Sequence, residues 1–120
     1  MNNNPEPHIF KLLEITNQYL KSDVNVILDI GARDLTESIF LSENYPNSKV
    51  ISFECNPQTL PICREKSKNY PNIELIDKAV NEYDGTCKFY PINPLKTKTT
   101  WEDGNPGASS LFIANENYPF

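Results

Sequence analysis

The sequence predicts an α/β fold of three parallel strands joined by crossover helices, followed by a short antiparallel hairpin. Two observations carry this expectation. The first is the stretch VNVILDIGARDLTES at 24 to 38, where a short, β-branched apolar run meets a glycine and then a helix start. The second is repetition. The order strand, helix, Tyr-Pro-Asn turn, strand occurs twice, with the turn at 45 to 47 and again at 70 to 72, and such alternation specifies parallel strands with right-handed crossovers.

Residues 1 to 7 are polar and broken by proline, and are expected to be a disordered lead-in to a domain over 8 to 120. Ile9, Leu12, Leu13, Thr16, Tyr19 and Leu20 follow a helical period, which predicts an amphipathic helix over 8 to 21 lying on an apolar surface and ended by Ser22 and Asp23. Val24, Val26, Ile27, Leu28 and Ile30 then form a strand of the kind covered on both faces. Gly31 ends it, and Asp34 with Glu37 three residues on reads as a capping box that starts a helix near Thr36, running to about 44. KVISFE at 49 to 54 is a second strand. Asn56 and Pro57 supply an N-cap and a first-turn proline for a helix over 57 to 69, with Leu60, Ile62 and Cys63 toward the sheet and a solvated charged face. The third strand is expected at 73 to 80. NEYDGT carries the Asp-Gly hairpin signal before CKFYPI, so 80 to 92 read as the antiparallel excursion. Residues 93 to 110 read as a long loop containing Trp101.

Composition excludes several classes. With 120 residues and 38% hydrophobic content the chain is at most one ordinary domain, and no run approaches the ~20 apolar residues of a membrane span. MNNNPEPH lacks the regions of a signal peptide, so the cytoplasm is the expected compartment. Cys55, Cys63 and Cys87 are odd in number and lack C-x-x-C spacing, which argues against a disulfide framework and a zinc site, and no metal is expected. His8 has no companion ligand or acid and reads as a surface residue. A net charge of -5 with scattered basic residues disfavours nucleic acid.

In such a sheet, ligands bind beyond the carboxyl ends of the strands. Those ends present Asp29-Ile30-Gly31-Ala32, Glu54-Cys55-Asn56 and Asp77-Lys78-Ala79. Glu54 stands about 20 residues beyond the glycine turn, where a carboxylate that accepts hydrogen bonds from a ribose diol is expected; the alternative is an acid with no ligand. The turn has one glycine and then Asp34 and Glu37 where a pyrophosphate would need positive potential, so a dinucleotide is disfavoured, and no G-K-[ST] phosphate loop is present. A crevice lined by Asp29, Asp34 and Glu54 suits S-adenosyl-L-methionine, which has no phosphate and carries a cationic sulfonium and ammonium. Asp34 and Glu37 are equally well read as plain helix caps.

ILDIGARD, FECNP and IDKAVNEYDG followed by GASSLF resemble the FkbM-type family of S-adenosylmethionine-dependent methyltransferases, over residues 24 to 112. The resemblance implies part of a Rossmann-like class I methyltransferase sheet and methylation of hydroxyl groups on small molecules or sugars. It also implies that Asp29, Gly31 and Ala32 line the methionine end of the cofactor, that Glu54 holds the ribose, and that Cys55 and Asn56 meet one edge of the adenine. Asp77, Lys78 and Ala79 would lie on its other side, and Ser109 and Ser110 match a serine pair in the loop over the site. Two departures stand out. Asp34-Leu35 replaces the family's second glycine, and the family's Lys-Ile-Asp-x-Glu-Gly strand does not follow the serine pair. The chain is therefore expected to be the cofactor-binding half of a methyltransferase, with the first strand as an exposed apolar edge. Methyl transfer to oxygen would rest on proximity and orientation, and no catalytic base is assigned. The rival expectation is a non-catalytic remnant or interaction module that binds nucleosides weakly. A nicotinamide-dependent oxidoreductase ranks third.

Overall fold

The computed structural model describes residues 4 to 20, 23 to 100, 102 and 104 to 113. Its elements are α1 (Pro7–Tyr19), β1 (Val26–Ile30), α2 (Thr36–Asn44), β2 (Lys49–Phe53), α3 (Leu60–Ser67) and β3 (Ile73–Ile76), with a 3-10 turn at Pro106–Ala108. The strands form one sheet in the order β1-β2-β3, all parallel, with Ile27 beside Val50 and Val50 beside Ile73. The three-stranded α/β arrangement is thus as the sequence implied.

Register decides which side chains share a face. Asp29, Ser52 and Leu75 stand side by side, as do Ile27, Val50 and Ile73, and this face is the covered one: Val50 and Ser52 are fully buried and Ile73 nearly so. Ala32 and Leu35 from the turn, Ile39 from α2, Cys63 from α3 and Leu75 pack together above it. The alternate residues of β1 are open, with Val26, Leu28 and Ile30 each more than half exposed. The expectation that β1 is covered on both faces is therefore corrected. The strands add in one direction without reversal, so both crossover helices lie on the same side, and only a reversal of winding would carry a helix to the other.

Several local expectations also shift. The helix expected from Pro57 begins at Leu60, because the Asn56 carbonyl accepts from the amides of Thr59 (3.1 Å) and Leu60 (3.0 Å) while its side-chain oxygen accepts from Gln58 (2.9 Å). These bonds make 57 to 59 a turn. The Asp34–Glu37 capping box does not close: Asp34 accepts from the Thr36 amide (3.2 Å), but Glu37 reaches back to the Glu6 amide (3.1 Å) instead. No hairpin forms over 80 to 92; the segment makes one antiparallel bridge, between Tyr90 and Ser110. The Asp-Gly turn lacks an apolar strand on its first arm, since residues 80 to 88 are all exposed and offer a hairpin no face to bury. α1 buries only Ile9, leaving Phe10, Leu12 and Ile15 about half exposed, though Phe10 meets Phe40 edge to face at 4.9 Å. His8 is exposed. Ser22 and Trp101 lie outside the described residues, as do residues 1 to 3 of the lead-in. Among the described residues no helix is long and apolar enough to cross a membrane.

Candidate functional site

The turn after β1 is held in an unusual backbone path. Gly31, Arg33 and Leu35 have φ of 85°, 50° and 65°, all in the left-handed region. A Cβ at Gly31 would touch nothing within 4 Å, so glycine is needed there for its dihedral and not for space. The path is fixed by hydrogen bonds. The amides of Gly31 (2.9 Å) and Ala32 (3.0 Å) both donate to the Phe53 carbonyl, Leu35 donates to Ala32 (2.7 Å), and Arg33 donates to Glu54 Oε2 (2.7 Å). Buried Ala32 and Leu35 then anchor the turn in the core, which offsets the strain of two non-glycine residues at positive φ.

These bonds have an electrostatic consequence. The amides of Gly31, Ala32, Arg33 and Leu35 are already donating within the protein, and Asp34 sits against the amide of Thr36 that opens α2. Burial pushes the Asp34 carboxyl up, but hydrogen bonding from Thr36, chiefly from its side chain, and the Lys66 ammonium at 3.2 Å together hold it below its ordinary value. A carboxylate thus stands where a phosphate would have to.

Glu54, at the tip of β2, is only 8% exposed. Its Oε1 accepts from the amides of Cys55 (2.8 Å) and Asn56 (2.7 Å), and its Oε2 from Arg33. A carboxylate has about four acceptor positions, so Oε2 retains capacity for one more donor.

Two adjoining hollows lie beyond the strand tips. The smaller, of about 140 Å³, is lined by Gly31, Glu54, Cys55, Asn56 and Ser109, together with Phe89. The larger, of about 530 Å³, is lined by Cys55, Asp77, Lys78 and Ala79 and by Phe89 again. Most of the residues singled out from the sequence thus gather around a pair of hollows that share Cys55 and Phe89 in their linings. Arg33, Phe89, Pro106 and Gly107 line the smaller one without having been singled out. Arg33 and Gly107 fall within the quoted stretches ILDIGARD and GASSLF, and Phe89 is an aromatic in the alternating run CKFYPI.

Other candidates lie elsewhere. Asp29 faces the helix side of the sheet, accepts from Ser38 Oγ at 2.5 Å, and lines a separate groove of about 410 Å³ between α1 and β1. Ser38 is in turn 2.7 Å from Ser52, and both serines are fully buried. Burial drives the Asp29 carboxyl up, Ser38 opposes this, and Glu37 and Glu54 add to the rise. The three acidic strand tips therefore do not converge on one hollow, and Arg33 and Lys78 bring positive charge to the pair beside Glu54 and Asp77. Alternation along β1 is the reason, since it places Asp29 beside Ser52 under α2. Ala32 is a core residue and Asp34 an ion-paired cap. Asp77 pairs with Arg64 (3.1 Å) at the surface.

The serine pair is engaged in shaping the loop. Asn56 Nδ2 donates to the Pro106 carbonyl (3.1 Å) and to Ser109 Oγ (3.3 Å), and Ser109 Oγ also accepts from the Ile92 amide (3.0 Å). Ser110 bridges Tyr90 through the main chain, and its Oγ accepts from Phe112 (3.0 Å). Asn56 thus fastens the 105 to 110 loop over the tip of β2.

No protein-family model matches the chain. It is similar to the 2-O-methyltransferase NoeI of Sinorhizobium fredii, with 27% identity over 77 residues, which are 64% of this chain and 32% of that protein. Among solved structures it is similar to a precorrin-6y C5,15-methyltransferase from Geobacter metallireducens (TM-score 0.45, 31% identity, 57% of this chain and 38% of that one). It is also similar to a coclaurine N-methyltransferase bound to N-methylheliamine and SAH (TM-score 0.47, 17% identity, 66% and 24%). The chain spans about a third of the length of the curated relative.

Proposed function

We propose that this chain carries the S-adenosyl-L-methionine-binding part of a methyltransferase that acts on a hydroxyl oxygen of a small molecule or sugar. The observation that carries the reading is the glycine turn after β1 tied to the Glu54 carboxylate, with two adjoining hollows at the carboxyl ends of parallel strands. Similarity to a 2-O-methyltransferase supports it.

The residues present fit this cofactor better than a phosphorylated one. The amides of Gly31, Ala32, Arg33, Leu35 and Thr36 are already hydrogen-bonded, and Asp34 stands at the N-terminal end of α2, so a pyrophosphate would meet a carboxylate there. When bound, S-adenosyl-L-methionine supplies a methyl group on a cationic sulfur already activated for in-line displacement. Within this chain, Glu54 Oε2 accepts a ribose hydroxyl, with the turn amides holding the carboxylate in place. Gly31 keeps the approach free of a side chain beside it. Cys55 and Asn56 on one side and Asp77, Lys78 and Ala79 on the other bound the base, with the Ser109 loop above. The rate enhancement asked of this part is positioning, and effective molarities for well-held reactants are large enough to supply it, roughly 7–11 kcal/mol.

A second reading, a non-catalytic nucleoside-binding module, is favoured by one observation: Glu54 is already hydrogen-bonded by three backbone amides, as a purely structural acid would be. Isothermal titration with S-adenosylhomocysteine tests the primary reading. Micromolar binding that disappears in Glu54→Ala supports it, and absence of heat at millimolar ligand overturns it; binding without methyl transfer to any sugar or small hydroxyl acceptor favours the module.

A further inference from the structure

Cys55 and Phe89 are the two residues that line both hollows, so a nucleoside reaching from Glu54 toward Asp77 and Ala79 has to pass the wall that they form. Cys55 contributes a small, half-buried thiol to that wall. Phe89 contributes an aromatic ring, and the residue is also half-buried. Tyr83, the other aromatic in the larger hollow, is 58% exposed and does not reach the smaller one.

The ring's location is set by hydrogen bonds close by in the chain. Tyr90 donates to the Ser110 carbonyl (2.8 Å) and Ser110 donates back (3.2 Å), while the Ile92 amide donates to Ser109 Oγ (3.0 Å). Ser109 is itself held by Asn56, so the segment bearing Phe89 is connected to the turn that follows Glu54. A ring held in this way loses little freedom when a ligand arrives.

Charge around the wall cannot recognise a purine's face. Glu54 and Asp77 accept hydrogen bonds from hydroxyl or amino groups at an edge, whereas the flat π-surface of a base is matched by another π-surface. We infer that Phe89 is the platform on which the adenine ring stacks, with Cys55 at its margin. This rests on the nucleoside reading of the site given above and adds to it a residue that sets preference for an aromatic base.

The experiment is calorimetric titration of the whole chain with S-adenosylhomocysteine, combined with proton NMR of the adenine H2 and H8 signals, for the wild type, Phe89→Leu and Phe89→Tyr. Leucine keeps apolar volume but removes the π-face, and an amide correlation spectrum reports whether each variant is folded. Stacking of one base gives roughly ten-fold to hundred-fold in affinity. Phe89→Leu is expected to weaken binding by that factor and to abolish the upfield ring-current shift of the adenine protons, while Phe89→Tyr restores both. Unchanged affinity and adenine shifts in Phe89→Leu overturn the inference and leave the cofactor reading standing. A wild-type chain that binds no S-adenosylhomocysteine removes the cofactor reading, and the inference with it.

Discussion

The backbone amide of Arg33 donates to the carboxylate of Glu54 at 2.7 Å, joining the left-handed turn after β1 to the tip of β2. One side chain thereby fixes the shape of the turn and completes the rim of the smaller hollow. Replacing Glu54 by Gln turns one acceptor oxygen into a donor that faces backbone N–H groups. Glu54→Gln is expected to cost about 1–3 kcal/mol of stability, measured by urea unfolding, because at least one buried amide loses its partner.

The left-handed path at Gly31 makes a separable demand. Gly31→Ala meets open space, so its cost comes from the φ of 85° alone and is expected to be about 1–2 kcal/mol in thermal or urea unfolding. A larger loss would indicate that the turn is crowded by contacts absent from this arrangement.

Asp29 supplies a pH test with a definite sign. Burial raises its folded-state pKa above the ordinary value of 3.8, so the protonated form is favoured by folding. Its contribution to stability is full below about pH 3.8 and is lost as pH rises through the folded-state pKa. Asp29→Asn, which keeps an acceptor for Ser38, is expected to be more stable than the wild type at pH 7, with the difference vanishing toward pH 3.8. Urea midpoints measured from pH 3.5 to 7 check this. A difference that grows on acidification contradicts it.

Thiol reactivity should rank the cysteines. Cys63 is fully buried, donates to the Arg33 carbonyl, and has its pKa pushed up to about 11 by burial with smaller additions from Glu54 and Asp34. Cys55 is half-buried and also raised, chiefly by burial, while Cys87 is exposed. Iodoacetamide at pH 8 followed by mass mapping is expected to modify Cys87 first, Cys55 more slowly and Cys63 only on unfolding.

The two faces of the sheet should respond oppositely to substitution. Ile73→Ala, on the face under the helices, is expected to cost about 2–5 kcal/mol. Leu28→Lys, at a position 59% exposed on the open face, is expected to change stability by about 0.5 kcal/mol or less in urea unfolding.

Much of the fold was legible because it was written in local pattern. The apolar run ending at Gly31 and the repeated Tyr-Pro-Asn turns identified β1, β2, β3 and α2. Asn56 was legible as a turn former, but the competition between its carbonyl and side chain, which delays α3 to Leu60, depends on geometry. The one-sided cover of β1 was hidden because apolar content does not reveal where the next helix will lie. In the site, Glu54 and the residues after β2 and β3 fall at the hollows, since strand ends are readable. Asp29 was grouped with them by position in sequence, whereas strand alternation turns it to the opposite set of neighbours. Phe89 could not be placed in advance, because its position depends on the long-range bridge between Tyr90 and Ser110.

Selection of a phosphate-free nucleoside at the strand tips is measured by competition dialysis with radiolabelled S-adenosyl-L-methionine. Label is expected to be retained, to be displaced by S-adenosylhomocysteine at micromolar concentration, and to resist NADH at a hundred-fold excess. Displacement by NADH, or label that passes through a folded chain without retention, would contradict it.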